Sequence, residues 1–144
     1  MSTTLTFVDG PISQALIVES IASFSQQTQI GAHSIFLGQV RKDVLDDKDV
    51  LAIEYSTYTE MAQEVAAKIS EDCRGKFELQ GLEIVHSLGA VKAGEICLFV
   101  IAASKHRKNA IEGCAEIVER IKQDLPVWGK EILQDDSHQW KVNR

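Results

Sequence analysis

Apolar and polar residues alternate in several short segments of the chain, and this period of two predicts β-strands. Segment 4–8 (TLTFV) is the first of them, whereas segment 95–104 (EICLFVIAAS) is apolar at nearly every position. A strand of the second kind is buried on both faces, so we expect 95–104 to lie in the centre of a sheet. The other predicted strands are 31–41, 50–58 and 77–89.

Three further segments place apolar residues three and four positions apart, which predicts helices. The first follows Pro11, whose fixed φ suits the first turn of a helix. The second has Thr59 as its N-cap and ends at Gly75. The third has the most regular apolar stripe, and Pro126 ends it. That stripe consists of Ala110, Ile111, Cys114, Ile117, Val118, Ile121 and Leu125.

The remaining segments predict connections between these elements. Segment 42–49 (KDVLDDKD) is charged and has no period, so we expect an exposed, mobile loop. Segment 131–142 predicts a C-terminal β-hairpin that turns at Asp135, Asp136 and Ser137. The order β-α-β-β-α-β-β-α-β-β predicts one α+β domain over residues 1–144, with a mixed or antiparallel sheet and its three helices on one side.

The composition restricts the class of protein. The chain has 144 residues, of which 44% are hydrophobic and 25% charged, as in ordinary globular proteins. Its net charge of −6 disfavours binding to nucleic acid or to an anionic membrane, since both need a broad basic face. The N-terminus lacks the pattern of a secretory signal, and no apolar stretch approaches the roughly 18 residues that cross a bilayer.

Cysteine and histidine spacing argues against a metal or disulfide framework. Cys73, Cys97 and Cys114 are widely spaced and form no C-x-x-C pair, so we expect small buried side chains in a reducing cytoplasm. The four histidines, at positions 33, 86, 106 and 138, have no metal-ligand spacing. Common nucleotide, flavin and hydrolase fingerprints do not occur in the sequence. A zinc site and the common cofactor-binding motifs are therefore not predicted.

Positive charge is concentrated at the start of the third predicted helix, in the segment SKHRKNA (104–110). A solvated helix end explains this cluster, and an anion site explains it equally well. Arg107 lies about 20° from Cys114 on a helical wheel, on the apolar side if the helix begins early enough. A guanidinium there is costly unless an anion meets it. The same N-terminal N–H groups that repel a cation attract an anion.

Other cations occur near the ends of predicted elements. Lys122 lies at the rim of the apolar stripe, where a lysine either extends to water or acts as a nucleophile or base when desolvated. Arg41 at a strand end is a phosphate-contact candidate or an exposed charge, and Trp128 is an interface anchor or a ligand-stacking residue. Fifteen residues separate Arg107 from Lys122, which is about 22 Å on one helix. If both serve one pocket, they must come from two copies of the chain.

Five motifs in this order resemble the large, catalytic subunit of molybdopterin synthase over nearly the whole chain, from about Gly31 to Trp140. They are G-x-V-R at 38–41, I-E-Y-x-x-Y-x-x-M-A at 53–62, H-x-x-G-x-x-x-x-G-E at 86–95, H-R at 106–107 and I-K-x-x-x-P-x-W at 121–128. The resemblance implies an α/β-hammerhead-like fold and a homodimer that takes up two small ubiquitin-like sulfur carriers, forming a heterotetramer.

The resemblance also implies an activity. The carrier's C-terminal Gly-Gly tail ends in a thiocarboxylate, which gives up its sulfur to cyclic pyranopterin monophosphate to form the dithiolene of molybdopterin, without a metal or organic cofactor. Lys122 would be the main catalytic lysine and Lys130 would assist it. The residues that the resemblance assigns to substrate binding are Gln39, Val40, Arg41, His106, Arg107, Lys122, Lys130 and Glu131.

Two positions depart from the family pattern. Many members have lysine directly after the tryptophan, where this chain has Gly129, and many have arginine after the histidine of the fourth strand, where it has Ser87. Two other functions therefore remain as alternatives. One is a non-catalytic dimeric module that binds a phosphorylated metabolite through Arg41 and Arg107. The other is a structural partner that binds the carrier without turnover.

Overall fold

The computed structural model describes residues 5–135 and 137–141, which form three helices and an eight-stranded sheet. The elements in chain order are β1 (Leu5–Asp9), α1 (Gln14–Ser25), β2 (Ala32–Gln39), β3 (Val44–Leu45), β4 (Lys48–Thr57), α2 (Thr59–Phe77), β5 (Gly81–Lys92), β6 (Ile96–Ser104), α3 (Arg107–Asp124), β7 (Val127–Leu133) and β8 (His138–Trp140).

The sheet is mixed, which is one of the two forms that the order of predicted elements allows. Its strands run in the order β2-β6-β5-β4-β7-β8, with β1 added beside β5 and β3 beside β4. Only the β1–β5 pair among the described strands is parallel, and the other pairs are antiparallel. The predicted α+β class, with three helices and a C-terminal hairpin, is confirmed.

The prediction that all helices lie on one side of the sheet is wrong. Helices α2 and α3 pack against one face, where Ile84 and Val100 contribute to the main core. Helix α1 covers the other face, where Val85 and Phe99 form a second core with Phe24. The physical reason is the apolar composition of β6, since a strand that is hydrophobic at every position needs cover on both faces. Its central position in the sheet is confirmed.

Three predicted helix ends are wrong by one to three residues. Helix α1 begins at Gln14 with Ser13 as its N-cap, so Pro11 lies before the helix and not in its first turn. Thr59 is the first residue of α2 and Tyr58 is the N-cap, without a side-chain capping hydrogen bond. The helix also continues past Gly75 to Phe77, and Glu78 takes the left-handed conformation with φ 52°. Phe77 packs against the core, and this tertiary contact outweighs the weak helix propensity of an exposed glycine.

The segment 42–49 is not the irregular loop that its charge predicts. Val44 pairs with Asp49 and Leu45 with Lys48, so the chain turns through two residues only. Asp46 and Asp47 have φ values of 50° and 63°, as in the tight turns that match the twist of a hairpin. Aspartate tolerates this conformation better than most residues, which the charge pattern alone did not reveal.

The C-terminal hairpin is confirmed and its register is clear. Lys130 pairs with Trp140, and Ile132 with His138. At the turn, the N–H of Ser137 donates to the carboxylate of Asp135 at 3.0 Å, while Asp136 lies outside the described residues. This hairpin extends the sheet beyond β4 and brings the last described residues next to the end of α3.

The three cysteines are buried and free, as their spacing predicts. Within the described part of the chain, no helix has the length and apolar content that crossing a membrane requires.

Candidate active site

A pocket of about 150 Å³ opens where the C-terminal end of α3 meets β4, β5 and the C-terminal hairpin. Its lining residues come from three parts of the sequence, namely residue 55, residue 86 and residues between 121 and 141. Its described lining residues are Tyr55, His86, Ile121, Lys122, Leu125, Val127, Trp128, Gly129, Trp140 and Lys141.

Lys122 reaches this pocket from the last turn of α3. Its neighbour Ile121 is buried in the main core, whereas Lys122 is exposed at the edge of the same stripe, as the helical spacing predicts. A cation in the last turn is on the favourable end of the helix dipole. Pro126 then ends the helix, and β7 returns beside the pocket. The local sequence thus places one ammonium group on the pocket wall.

His86 forms the buried side of the pocket, and only 5% of its surface is exposed. Its Nδ1–H donates to the carbonyl oxygen of Ser87 at 2.7 Å, so Nε2 carries the lone pair. The pKa of His86 is lowered to about 4, mainly by burial and also by the positive charge of Lys122, against the opposing effect of the Ser87 hydrogen bond. The imidazole is therefore neutral at physiological pH.

Tyr55 lies beside His86, with its ring edge-on to the imidazole at a centroid distance of 5.1 Å. Burial raises the pKa of Tyr55 strongly, and Cys97 and then Glu131 raise it further. Tyr55 therefore stays a neutral phenol. His86 and Tyr55 were visible in the sequence only as letters of two family motifs, and no spacing rule joined them to Lys122.

Glu131 is a predicted substrate contact that the structure places inside the protein. Its side chain is 1% exposed, and its Oε1 has no hydrogen-bond partner among the described residues. The strand register puts Glu131 opposite Ile53 in the sheet. Its charge also helps to raise the pKa of Arg41, after the larger effect of Asp43.

The predicted phosphate-contact segment lies at the end of β2, and none of its three residues lines the described pocket. Arg41 is exposed and makes two hydrogen bonds to Asp43, from Nε at 2.6 Å and from Nη2 at 3.1 Å. Gln39 is exposed. Val40 is buried, and its N–H donates to Glu95 O at 2.9 Å.

The basic cluster at the start of α3 is exposed in the single chain. His106 is the N-cap, without a side-chain capping bond, and Arg107 is the first helical residue. Neither residue lines the pocket. Since Lys122 lies fifteen residues further along the same unbroken helix, the cluster is about 22 Å from it. In one chain the basic cluster is therefore an exposed helix end. A site that contains both Arg107 and Lys122 would need a second chain.

Lys130, which follows the departure at Gly129, and Ser87, the second departure from the family pattern, do not line the described pocket. The Nζ of Lys130 is 3.6 Å from the carboxylate of Glu54, and Lys130 does not line the described pocket. Ser87 is fully buried, and its hydroxyl has no hydrogen-bond partner among the described residues. Because neighbouring residues of a strand point to opposite faces, Ser87 faces away from His86.

Several pocket residues were not among the predicted site residues, and Lys141 is the lysine among them. Lys141 follows β8 and lines the pocket together with Lys122. The predicted turn at Asp135, Asp136 and Ser137 is centred on residue 136 and would place residue 141 opposite residue 131. The observed register, with Lys130 opposite Trp140, places Lys141 opposite Gly129. The fold and the site thus define an α+β protein with a small pocket that carries two lysines, a neutral histidine and two tryptophans.

Comparison with known proteins agrees with this description. Residues 11–124 match the family model described as MoaE protein, and the chain belongs to this family. The molybdopterin synthase catalytic subunit of Oryza sativa subsp. indica is 37% identical over 114 residues, which cover 79% of this chain and 58% of the rice protein. The chain thus spans less than two thirds of that relative. The Bos taurus catalytic subunit is 30% identical, over 92% of this chain and 69% of that protein.

Solved structures share the same fold. Molybdopterin synthase from Staphylococcus aureus superimposes with a TM-score of 0.84 at 29% identity, over 99% of this chain and 98% of that one. A complex of subunits 1 and 2 of molybdopterin-converting factor from Helicobacter pylori contains a chain that matches with a TM-score of 0.83 at 21% identity, covering 98% and 92%. The architecture expected from the sequence motifs is therefore that of this family.

Proposed function

We propose that this chain is the catalytic subunit of a molybdopterin synthase. It transfers sulfur from the C-terminal thiocarboxylate of a small ubiquitin-like carrier to cyclic pyranopterin monophosphate, and forms the dithiolene of molybdopterin. Membership of the MoaE family supports this function. The single observation in the molecule that carries it is the position of Lys122, which projects into a pocket beside a neutral histidine.

The pocket suits a reaction in which the partner brings the sulfur. A thiocarboxylate is an anion, and further negative charge develops as its sulfur is transferred. The ammonium of Lys122 stabilises such charge when it is held in place before the reaction. His86 presents a neutral acceptor that neither repels the lysine nor competes for the anion. We propose that Lys122 activates the thiocarboxylate electrostatically or moves protons during the attack.

Substrate binding requires further cations, and we propose that two chains supply them. Arg41 would bind the phosphate by paired hydrogen bonds, with His106 and Arg107 reaching the same site from the second copy. The helical distance between Arg107 and Lys122 supports this arrangement. The edge strand β2 also leaves Ile35 and Leu37 exposed to 40% and 44%, which favours contact with another copy of the chain.

A reconstituted reaction tests the proposed function. The protein is mixed with thiocarboxylated carrier and the pterin precursor, and dithiolene product is measured. We expect product with the wild type, and a loss of at least a hundredfold in Lys122→Ala. Lys68→Ala is the control, because Lys68 is an exposed lysine paired with Asp72 on α2.

The outcomes separate the alternatives. Phosphate binding without consumption of the carrier would favour the non-catalytic metabolite-binding module. Carrier binding without turnover would favour the structural partner. Wild-type turnover in Lys122→Ala would contradict the catalytic assignment. The three buried free cysteines support our further proposal that the protein works in the reducing cytoplasm.

A further inference from the structure

The pocket beside α3 has a second lysine, which comes from the end of the chain. Lys141 is half-buried and lines the same pocket as Lys122. Its backbone N–H donates to the carbonyl oxygen of Gly129 at 2.8 Å, which continues the β7–β8 register by one residue. The hairpin therefore holds the backbone of Lys141 at a defined place beside the pocket.

Gly129 keeps this part of the pocket open. It pairs with Tyr55 on its other side, so it lies between Tyr55 and Lys141 in the sheet. A Cβ atom at Gly129 would lie 2.9 Å from Cγ2 of Ile53 and 3.3 Å from the Tyr55 ring. The position thus has no room for a side chain as the strands are packed, and the lysine beside it comes from the neighbouring strand.

Lys130 is less suited to the same task. Its ammonium group lies 3.6 Å from Glu54, and its side chain does not contribute to the described pocket wall. A lysine that pairs with a carboxylate outside the pocket would have to leave that partner before it could meet a ligand. Lys141 already contributes to the wall that Lys122 and Trp128 form.

We propose that Lys141, rather than Lys130, is the second lysine of the active site, and that it binds an anionic end group together with Lys122. This inference rests on the proposed function, because it assumes that an anionic substrate enters the pocket. The described residues that line the pocket include two lysines and no carboxylate, which suits an anionic group. Sites that enclose a whole small molecule have volumes of roughly 300–1,000 Å³. A pocket of about 150 Å³ therefore takes an end group.

Two anions of this kind are present in the reaction, the thiocarboxylate of the carrier and the phosphate of the pterin. Steady-state kinetics of Lys141→Ala distinguishes them. A higher KM for the carrier identifies the thiocarboxylate as the bound group, and a higher KM for the pterin identifies the phosphate. Either result supports the proposal, with an expected loss of at least tenfold in kcat/KM.

Lys68→Ala is the control for net charge, because it removes one exposed lysine outside the described pocket lining. Lys130→Ala tests the rival assignment, and we expect it to lose less of kcat/KM than Lys141→Ala because Lys130 does not line the described pocket. Lys141→Arg should recover part of the loss, because it keeps the charge. A large loss in Lys130→Ala with normal kinetics in Lys141→Ala would overturn the proposal.

A binding measurement separates this inference from the proposed function. Inorganic phosphate and thioacetate are titrated separately into the wild type and Lys141→Ala, and the amide signal of Gly129 is followed by NMR. We expect at least one of the two anions to bind the wild type and to bind the variant several-fold more weakly, even if no dithiolene forms. Equal affinity of both proteins for each anion, or no binding to the wild type, would overturn the role of Lys141. Matching thermal unfolding midpoints would show that the variant is folded.

Discussion

His86 and Lys122 line one pocket, and the histidine is kept neutral while the lysine stands beside it. Burial has the largest effect on the pKa of His86, and the charge of Lys122 acts in the same direction. A protonated His86 would be a buried cation, and both its desolvation and the nearby charge of Lys122 oppose that state. The arrangement leaves a charged donor and a neutral acceptor next to each other.

The neutral state of His86 predicts how stability depends on pH. The pKa falls from 6.5 in the unfolded chain to about 4 in the folded protein, so the unfolded state binds more protons between these values. Stability from this group is complete above pH 6.5 and is lost as the pH falls towards 4. The loss should be about 3 kcal/mol. Urea unfolding at several pH values measures it.

His86→Asn provides the comparison for this prediction. The asparagine amide can still donate to the Ser87 carbonyl, but it does not titrate. Its free energy of unfolding should change less than that of the wild type between pH 6.5 and 4. The ion-paired carboxylates Asp72 and Glu116, whose pKa values are lowered, contribute equally to both proteins. Parallel pH curves for the two proteins would contradict the assignment.

The separation of Arg107 from Lys122 predicts complementation between inactive variants. If each site takes Lys122 from one chain and Arg107 from the other, a mixed dimer of Lys122→Ala and Arg107→Ala has one intact site and one doubly altered site. Random exchange of subunits makes half of the dimers mixed, so about a quarter of wild-type activity should return. The mixture is unfolded, refolded together and assayed.

Separately refolded samples of the two variants, combined without exchange, are the control. If the refolded mixture is no more active than this control, the shared site is contradicted. Lys122 and Arg107 would then act in the site of the same chain, or Arg107 would not belong to the site. Sedimentation of the refolded mixture confirms that dimers have formed.

The ion pair with Asp43 should weaken the binding of phosphate to Arg41. The carboxylate of Asp43 makes two hydrogen bonds to Arg41, and a substrate phosphate must displace them. Asp43→Asn should therefore lower the KM for the pterin about twofold to fivefold, consistent with an exposed ion pair. Asp49→Asn removes the same charge from a residue that pairs with Lys42. The kinetic effect should be absent there, and equal effects in both variants would indicate a change in overall charge only.

Replacing Gly129 by alanine should destabilise the protein, because the added Cβ atom would be too close to its neighbours. The Cβ of Gly129→Ala would press on Cγ2 of Ile53, which is buried and branched. We expect a loss of about 1–3 kcal/mol in the free energy of unfolding. Gly75→Ala is the opposite case, since a Cβ there meets nothing within 4 Å on an exposed helical face. Gly75→Ala should raise the free energy of unfolding by about 0.5–1 kcal/mol. Thermal unfolding of both variants should therefore show a lower midpoint for Gly129→Ala and a higher one for Gly75→Ala.

Prediction from sequence succeeded where one periodic segment carries the information. The apolar stripe of α3 was sufficient to place Lys122 at its rim, and the apolar run of β6 placed that strand in the sheet centre. It failed at the two-residue turn through Asp46 and Asp47, because a charged segment has no apolar period and the left-handed conformation of aspartate leaves no pattern.

Local spacing by itself determined the helices, most of the strands and the position of Lys122 on its helix, because neighbours along a helix or strand repeat with a fixed geometry. It also showed that Arg107 and Lys122 cannot reach one small ligand from one chain. Only the tertiary structure decided that α1 covers the second face of the sheet, that His86 is neutral and that Lys141 lies across from Gly129. These properties depend on burial and on strand register, and both are set by contacts between segments that are far apart in the chain.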